Sequence, residues 1–361
     1  MQTNQQSVEI LDHIKVYYQP GRFGGWPANH GMWAWGDELL VGFSRGYFKD
    51  LGPRRHAIDR ERPEDHLLAR SLDGGENWMI ENPSEKGALL PKGSSLHGTE
   101  LPGLPEPKWT DCPGGIDFTQ PNFALTLRMT NVDVGPSRFY YSLDRGHNWR
   151  GPFRFPDLRG RGIAARTDYV VLDKHDCLVF LTAGKANREE GRPLCARTED
   201  GGRTWRFVGW IGAEPEGFSI MPSTVRLDPE TLLTTVRRRE GPKRWIDAYV
   251  SHDLGMHWEY LSTPAPDVGI GNPPSMIQLR DGRLCVTYGF RRAPYGMRAR
   301  LSENGGRSWS KEIVLRADGG GRDMGYPRTV ERPDGTIVTV YYFHDEPLGD
   351  RYIAATLWRP S

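Results

Sequence analysis

The stretch RSLDGGENW, residues 70–78, decides the fold, because close copies of it return four more times along the 361-residue chain. Without the leading Arg, the five copies are SLDGGENW (71–78), SLDRGHNW (142–149), TEDGGRTW (198–205), SHDLGMHW (251–258) and SENGGRSW (302–309). Their third positions are 73, 144, 200, 253 and 304, so the spacing falls from 71 to 56, 53 and 51 residues. Alternating apolar and polar segments such as RFYYS (138–142) lie between the copies. Repeats of this length that are built from short strands are typical of β-propeller blades.

The residue types within one copy predict a turn. The short Asp side chain can accept hydrogen bonds from backbone N–H groups of its own turn, Gly can adopt a positive φ, and the final Trp can pack into the core. The fifth copy has Asn304 in place of Asp, which keeps the acceptor and loses the charge. Because the motif tolerates the loss of this charge, the Asp is interpreted as a structural residue of the turn and not as a catalytic one.

Composition excludes several classes of function. With 47 basic and 46 acidic residues, the net charge of +1 gives no bulk attraction to nucleic acid or to a membrane surface. No apolar run approaches the roughly 18 residues of a membrane span, and MQTNQQSVEILDHI lacks the features of a signal peptide. We therefore expect a cytoplasmic protein, or a secreted or periplasmic one if a leader has been removed.

Metal and cofactor chemistry find no support in the sequence. The ten His residues form no HxH or HExxH spacing, and the Gly pairs show no strand-to-helix phosphate cradle, so we expect neither a metal nor a cofactor. The four cysteines, Cys112, Cys177, Cys195 and Cys285, form no CxxC pair. Buried free thiols are the favoured interpretation.

The pattern S/T-x-D-x-G-x-x-W resembles the Asp-box of the sialidase (neuraminidase) superfamily, and the resemblance extends over essentially the whole chain. It implies an all-β fold, a six-bladed β-propeller of four-stranded antiparallel blades, as one domain over residues 1–361. In that family the box connects the third and fourth strands of a blade, away from the active site. The sixth blade has no box, and VEILDHIKVYY (8–18) is predicted to supply the strand that closes the ring.

The boxes also assign every other loop to a face. Turns between first and second strands belong with the boxes, and the sequence predicts them at 35–38, 118–122, 173–176, 228–231, 280–283 and 333–336. The opposite face receives the second-to-third loops at 44–66, 130–137, 183–193, 237–244, 290–297 and 343–350. It also receives the starts of the innermost strands, near Asn29 and His30, Asp111, Arg166, Met221, Asn272 and Tyr326. Several of these loops are rich in Arg, so the function is expected on this face.

The resemblance implies roles for residues on the predicted functional face. Tyr326, in RDMGYPRTVERPDGT, matches the family tyrosine that opens the sixth blade and acts as nucleophile. Arg237, at the end of TLLTTVR, matches one of three arginines that hold the substrate carboxylate, and Arg292 or its neighbour Arg291 is the second candidate. A planar guanidinium suits this role because it can donate two parallel hydrogen bonds to a carboxylate. The remaining candidates for substrate binding on this face are Arg45, Arg166, Asn29 and Asn272.

The family's acid is an Asp from the long loop of blade one, which implies Asp59 here, with Asp50 and Asp65 as alternatives. Two family features are absent. The first strand has PANHGMWAW where an R-I-P motif with the first clamping Arg is expected, and SIMPSTVRL places Met221 where the family has the Glu that activates the tyrosine. His30, Glu216 or Asp323 could replace that base, and His30 is attractive because imidazoles in general titrate near neutral pH.

These observations leave three hypotheses. The first is an exo-acting, retaining glycoside hydrolase that releases sialic acid or a related acidic sugar from a glycan. The second is an enzyme that uses the same pocket to act on a different acidic or neutral sugar, or to cleave a uronic acid by elimination. The third is a glycan-binding propeller without catalysis.

Overall fold

The structure, a computed structural model, describes residues 8–52, 55–89, 108–132 and 135–360, with the side chain of residue 190 left out. In these residues the strands form six antiparallel sheets, each of them one blade of a propeller. The all-β, six-bladed architecture predicted from the repeat is therefore confirmed. No helix in the described ranges is long and apolar enough to cross a membrane.

The first three blades carry the less regular sheets. Blade one contains β2 (Arg22–Gly25), α1 (Pro27–His30), β3 (Met32–Trp35), β4 (Glu38–Tyr47), β5 (Asp65–Ser71) and β6 (Met79–Glu81). A short 3-10 helix (Pro83–Lys86) follows it. Blade two contains, within the described residues, β7 (Ala124–Met129), β8 (Ser137–Ser142) and β9 (Arg150–Phe155). Blade three contains β10 (Ile163–Ala164), β11 (Tyr169–Asp173), β12 (Asp176–Gly184), β13 (Glu190–Thr198) and β14 (Arg206–Trp210).

Blades four to six have four strands each. Blade four contains β15 (Phe218–Arg226), β16 (Leu232–Glu240), β17 (Lys243–Ser251) and β18 (Glu259–Ala265). Blade five contains β19 (Ser275–Gln278), β20 (Leu284–Phe290), β21 (Gly296–Ser302) and β22 (Ile313–Arg316). Blade six contains β23 (Gly325–Glu331), β24 (Ile337–Phe343), β25 (Tyr352–Pro360) and, as its outer strand, β1 (Val8–Tyr17) from the start of the chain.

The ring joins blade six to blade one through β1. This strand pairs antiparallel with β25 from Val8 opposite Pro360 to Tyr17 opposite Ile353. Val16 and Tyr17 also lie in a buried apolar cluster that is shared by strands of blades one and six. The edge of the last sheet is thereby covered by the first strand of the chain.

The Asp-box forms the predicted turn, and all five copies use the same hydrogen bonds. In the first copy, the Asp73 carboxylate accepts from the backbone N–H of Asn77 at 2.9 Å and from the Ser71 hydroxyl at 2.8 Å. The same hydroxyl accepts from the N–H of Gly75 at 2.8 Å. In the fifth copy, the amide oxygen of Asn304 accepts from the N–H of Ser308 at 2.9 Å, so the exchange of Asp for Asn preserves the turn.

The Trp of each box joins its blade to the preceding one. Trp205 of blade three, for example, packs against Phe139 and Phe155 of blade two, with ring centroids 5.8 and 5.3 Å apart. The Gly of each box also lies close to the preceding blade. In the box of blade two, for example, a Cβ on Gly146 would come within 2.4 Å of Leu40 in blade one. The box therefore combines a local turn with a contact between blades.

The loops opposite the boxes differ in length from the prediction. Around the expected loop at 237–244, β16 and β17 continue as a regular hairpin to Glu240 opposite Lys243, so the expected Arg-rich loop is a strand pair with a two-residue turn. Because successive strand residues point to opposite faces, Arg237 and Arg238 are directed to different surroundings. Positions 53–54 and 133–134 of the other predicted loops lie outside the described residues. All four cysteines are buried and free, as predicted.

Candidate active site

Tyr326 stands at the start of the innermost strand of blade six, in a bulge of β23. Its φ is 53°, a left-handed backbone conformation that is unfavourable for residues other than Gly. Asn272, which is fully buried, holds it there: its side-chain oxygen accepts from the Tyr326 N–H at 2.9 Å and its amide donates to the carbonyl of Met324 at 3.0 Å. The predicted Asn272 thus contacts the backbone that orients the tyrosine.

Three arginines surround the phenol of Tyr326. Nη1 of Arg237 donates to the phenolic oxygen at 3.2 Å, and the guanidinium of Arg291 lies 5.2 Å from the ring centroid. Burial by itself would raise the pKa of the Tyr326 phenol, but the charges of Arg237, Arg291 and Arg166 outweigh it and hold the pKa below its ordinary value. The ionised phenolate is therefore easier to form here than on an ordinary tyrosine.

Arg291, and not its neighbour Arg292, faces Tyr326. The Arg291 side chain is 4% exposed and donates to the carbonyls of Met324 and Gly271 and to the hydroxyl of Tyr342. Arg292 points away and forms an exposed ion pair with Asp267 at 2.7 Å. These three hydrogen bonds hold Arg291 in the protein interior beside the ring of Tyr326, where its positive charge favours the phenolate.

Arg166 and Asn29 form a second contact beside the tyrosine. Asn29 belongs to α1, which interrupts the inner strand of blade one, and its side-chain oxygen accepts from Nε of Arg166 at 3.2 Å. Arg166 is mostly buried, and its charge contributes to the lowered pKa of Tyr326. Arg166 of blade three thus brings a cation to the side of the site next to α1.

The wall next to Tyr326 is apolar. Tyr326 packs with Ala28, Ile220, Met221 and Phe218. Met221 also has a positive φ, 55°, in a bulge of β15, and both residues are followed by Pro, so the two positions are equivalent in their blades. Met221 therefore holds in blade four the position that Tyr326 holds in blade six, and it brings a thioether to the wall of the site.

His56 is a site residue that the sequence interpretation missed. It comes from the long loop of blade one, and its ring centroid lies 6.2 Å from that of Tyr326 with the planes at 80°. Nδ1 of His56 is 2.6 Å from Oδ1 of Asp323, one of the three residues that the sequence offers as a replacement base. The signal in the sequence is the acid that the resemblance implies in this loop, but the resemblance points to an Asp, whereas the residue beside Tyr326 is a histidine.

Three other predicted residues make their contacts within blade one or, in the case of Arg45, also with Tyr17 of β1. Arg45 forms an ion pair with Asp65, and Asp59 is paired with Lys49 at 3.3 Å and accepts from the N–H of Glu61. Asp50 accepts from the N–H of Gly52 in the same loop. These contacts organise the loop between β4 and β5 and do not involve Tyr326.

His30 belongs to a buried polar cluster between blades one and two. Its Nε2 is 3.0 Å from the hydroxyl of Ser44, which donates to Glu64 at 2.7 Å, and its Nδ1 is 2.6 Å from Nη1 of Arg128. The same Arg128 atom lies 2.9 Å from Nδ1 of His66. Burial raises the pKa of Glu64 to about 7 and lowers the pKa of Arg128 to about 9. The observed partners of His30 are thus structural polar groups of this cluster.

The family follows from the sequence of the repeats. The family model for the BNR repeat-like domain matches residues 123–339, more than half of the chain. The chain belongs to this family. The sialidase-type, BNR-repeat propeller predicted from the Asp-boxes is therefore confirmed. No curated protein matches the sequence.

Solved structures with the same fold span nearly the whole chain. A Dyadobacter fermentans protein of unknown function shares 18% identity, with a TM-score of 0.73 over 98% of this chain and 99% of that chain. A mutant of the NanB sialidase from Streptococcus pneumoniae shares 12%, with a TM-score of 0.60 over 96% of this chain and 70% of the sialidase. Trypanosoma rangeli sialidase shares 11%, with a TM-score of 0.55 over 93% and 55%. At these identities the likeness concerns the fold.

Proposed function

We propose that the protein is a glycosidase that releases a terminal acidic sugar, sialic acid or a relative of it, from a glycan. The observation that carries this proposal is the phenol of Tyr326, hydrogen-bonded to Arg237 and surrounded by the charges of Arg291 and Arg166. A reactive phenol among cations, at the functional end of a sialidase-type propeller, suits a substrate that carries a carboxylate beside the reacting carbon.

Arg237 and Arg166 are the arginines assigned to the substrate carboxylate. Arg237 is partly exposed in the second half of β16, and Arg166 is oriented by Asn29. Guanidinium groups bind carboxylates with two hydrogen bonds and fix the orientation of the sugar as well as its charge. Arg291 is assigned a different role, since it is buried under the tyrosine and stabilises the phenolate.

Tyr326 is assigned the role of nucleophile in a retaining mechanism. Its oxygen attacks the anomeric carbon and forms a glycosyl-enzyme intermediate, which water then hydrolyses. The family activates this tyrosine with a Glu, and this chain has Met221 at that place. The three arginines supply an alternative activation, because they favour the phenolate electrostatically.

The proposal is tested with Tyr326→Phe on a panel of sialylated glycans and aryl sialosides. We expect kcat to fall by about 1,000-fold or more because the nucleophilic oxygen is removed. The matched control is Tyr260→Phe, on the outer strand of blade four, where the side chain is 59% exposed. Turnover that survives in Tyr326→Phe contradicts the assignment, and binding without turnover by the wild type identifies a glycan-binding propeller.

The absence of a carboxylate at Met221 favours a second candidate, elimination from a uronic acid. Such a reaction needs cations to neutralise the sugar carboxylate and a group that removes the proton beside it, and it needs no glycosyl-enzyme intermediate. Arg237 and Arg166 would bind the carboxylate as before, and the Tyr326 phenolate would act as base. Elimination leaves a conjugated double bond in the product, so the ultraviolet absorbance of digests of uronate-containing glycans distinguishes it from hydrolysis.

A further inference from the structure

A histidine and a carboxylate from opposite ends of the chain meet beside Tyr326. His56 lies in the loop between β4 and β5, and Asp323, 267 residues later, lies two residues before the start of β23. The rings of His56 and Tyr326 meet edge to face, with centroids 6.2 Å apart and planes at 80°, so the imidazole and the phenol stand side by side. A sugar bound over the phenol would therefore have the imidazole within reach of its glycosidic oxygen.

The Asp323 carboxylate is held in place from several sides. Oδ2 accepts from the N–H of Ala57 at 2.8 Å and from Nε of Arg351 at 3.2 Å, and Oδ1 accepts from the hydroxyl of Tyr342 at 2.7 Å. Its side chain is 4% exposed, whereas that of His56 is 23% exposed. This is the arrangement of a buried carboxylate that orients an accessible imidazole.

We infer that His56 transfers the proton to and from the glycosidic oxygen, and that Asp323 is the positioning residue that orients it. This inference rests on the proposed glycosidase function. The hydrogen bond from Nδ1 to the ionised Asp323 fixes the tautomer, so the proton is exchanged at Nε2, on the opposite edge of the imidazole ring. His56 then performs the role for which the family resemblance implied an Asp from the same loop.

The Tyr326 phenolate oxygen forms a bond to the anomeric carbon while the bond from that carbon to the glycosidic oxygen breaks. The electron pair stays on the departing oxygen, which takes the proton from Nε2 of the protonated His56. In the second half, neutral His56 takes a proton from water, the water oxygen bonds to the anomeric carbon, and the Tyr326 phenolate leaves.

The surroundings of His56 determine the direction of its pH dependence. Burial lowers the pKa of His56 below its ordinary value of 6.5, Asp323 opposes this, and Arg291 and Arg322 add to it. Five titratable or charged groups face His56. They are Arg322 and Asp323 before β23, Tyr326 in β23, Tyr342 in β24, and Arg291 after β20. Since the protonated form donates, kcat/KM is expected to rise as the pH falls toward the range below about 6.5, and this limb disappears without His56.

The experiment compares His56→Gln with the wild type on two sialosides, a methyl glycoside with a poor leaving group and a nitrophenyl glycoside with a good one. We expect kcat on the methyl glycoside to fall by about 100-fold or more, as is typical when a general acid is lost, with a change below about tenfold on the nitrophenyl glycoside. The control is His257→Gln in the fourth Asp-box, where the side chain is 87% exposed. An equal effect of His56→Gln on both substrates, or none on either, overturns the assignment.

Two further measurements separate the parts of the inference. Asp323→Asn is expected to preserve the leaving-group dependence. Because the imidazole loses the carboxylate that opposes the lowering of its pKa, the limb in which kcat/KM falls with rising pH is expected to move to lower pH. A pH profile identical to that of the wild type overturns the positioning role. Tyr326→Phe loses activity on both sialosides whatever the role of His56. Failure of the nucleophile is thus recognised independently of failure of the acid, and a wild type that turns over neither sialoside overturns both.

Discussion

The replacement of Asn272 by Ala is expected to lower both stability and turnover, because this side chain supports the strained backbone of Tyr326. It makes three hydrogen bonds: to the N–H of Tyr326 at 2.9 Å, to the N–H of Gly289 at 3.3 Å and to the carbonyl of Met324 at 3.0 Å. Asn272 is 0% exposed, so water cannot replace these bonds without entering the core. At about 1 kcal/mol for each bond, the free energy of unfolding is expected to fall by about 3 kcal/mol.

The same change reaches the site through the backbone. A left-handed conformation costs a residue such as Tyr326 about 1–3 kcal/mol, so the loss of its N–H partner allows the segment to relax and moves the phenol away from Arg237. The expected kinetic result is a lower kcat with a smaller change in KM. Gly325 and Gly289 are adapted to Asn272 as well, since a Cβ on either would come within 2.8 Å of its side chain.

Urea unfolding followed by tryptophan fluorescence measures the first effect, and steady-state kinetics on an aryl sialoside measures the second. Asn187→Ala is the matched control: this Asn lies in an exposed loop on the same face, and its loss is expected to change the free energy of unfolding by less than about 0.5 kcal/mol. An unfolding midpoint like that of the control, together with a raised KM and an unchanged kcat, would show that Asn272 binds substrate directly and would refute the supporting role.

Two further predictions concern the scaffold. Asp73→Ala should lower the free energy of unfolding by about 1–2 kcal/mol, because the turn loses its main acceptor, and it should leave kcat unchanged because the boxes lie opposite the site. Asp73→Asn should lower the free energy of unfolding by less, because an Asn fills the same position in the fifth copy. A change in kcat in either variant would contradict the assignment of faces. Burial raises the pKa of Glu64 to about 7, so the folded protein holds a proton that the unfolded chain releases near 4.5, and stability should decrease as the pH rises through this window. The full difference is about 3 kcal/mol. Glu64→Gln should flatten that part of a urea-midpoint profile, whereas an unchanged slope would mean that Glu64 is ionised in the folded protein.

The sequence by itself determined the propeller, since the signals that specify it are local. Each Asp-box closes its turn with hydrogen bonds between residues at most four positions apart, so the eight-residue motif by itself predicts the turn. Once the boxes mark one face, the alternation of strand ends places Tyr326 and Arg237 on the other. Both residues could therefore be selected from the pattern before their contact at 3.2 Å was known.

Only the tertiary structure decided which neighbouring residues complete the site. The sequence does not distinguish Arg291 from Arg292, because both are arginines at the end of the same strand. Adjacent side chains point to opposite sides, so Arg291 lies under Tyr326 and Arg292 pairs with Asp267 at the surface. His56 lies in a long loop without periodicity, and its position depends on Asp323, 267 residues away. A contact between such distant residues depends on how six blades close into a ring, which no local pattern in the sequence encodes.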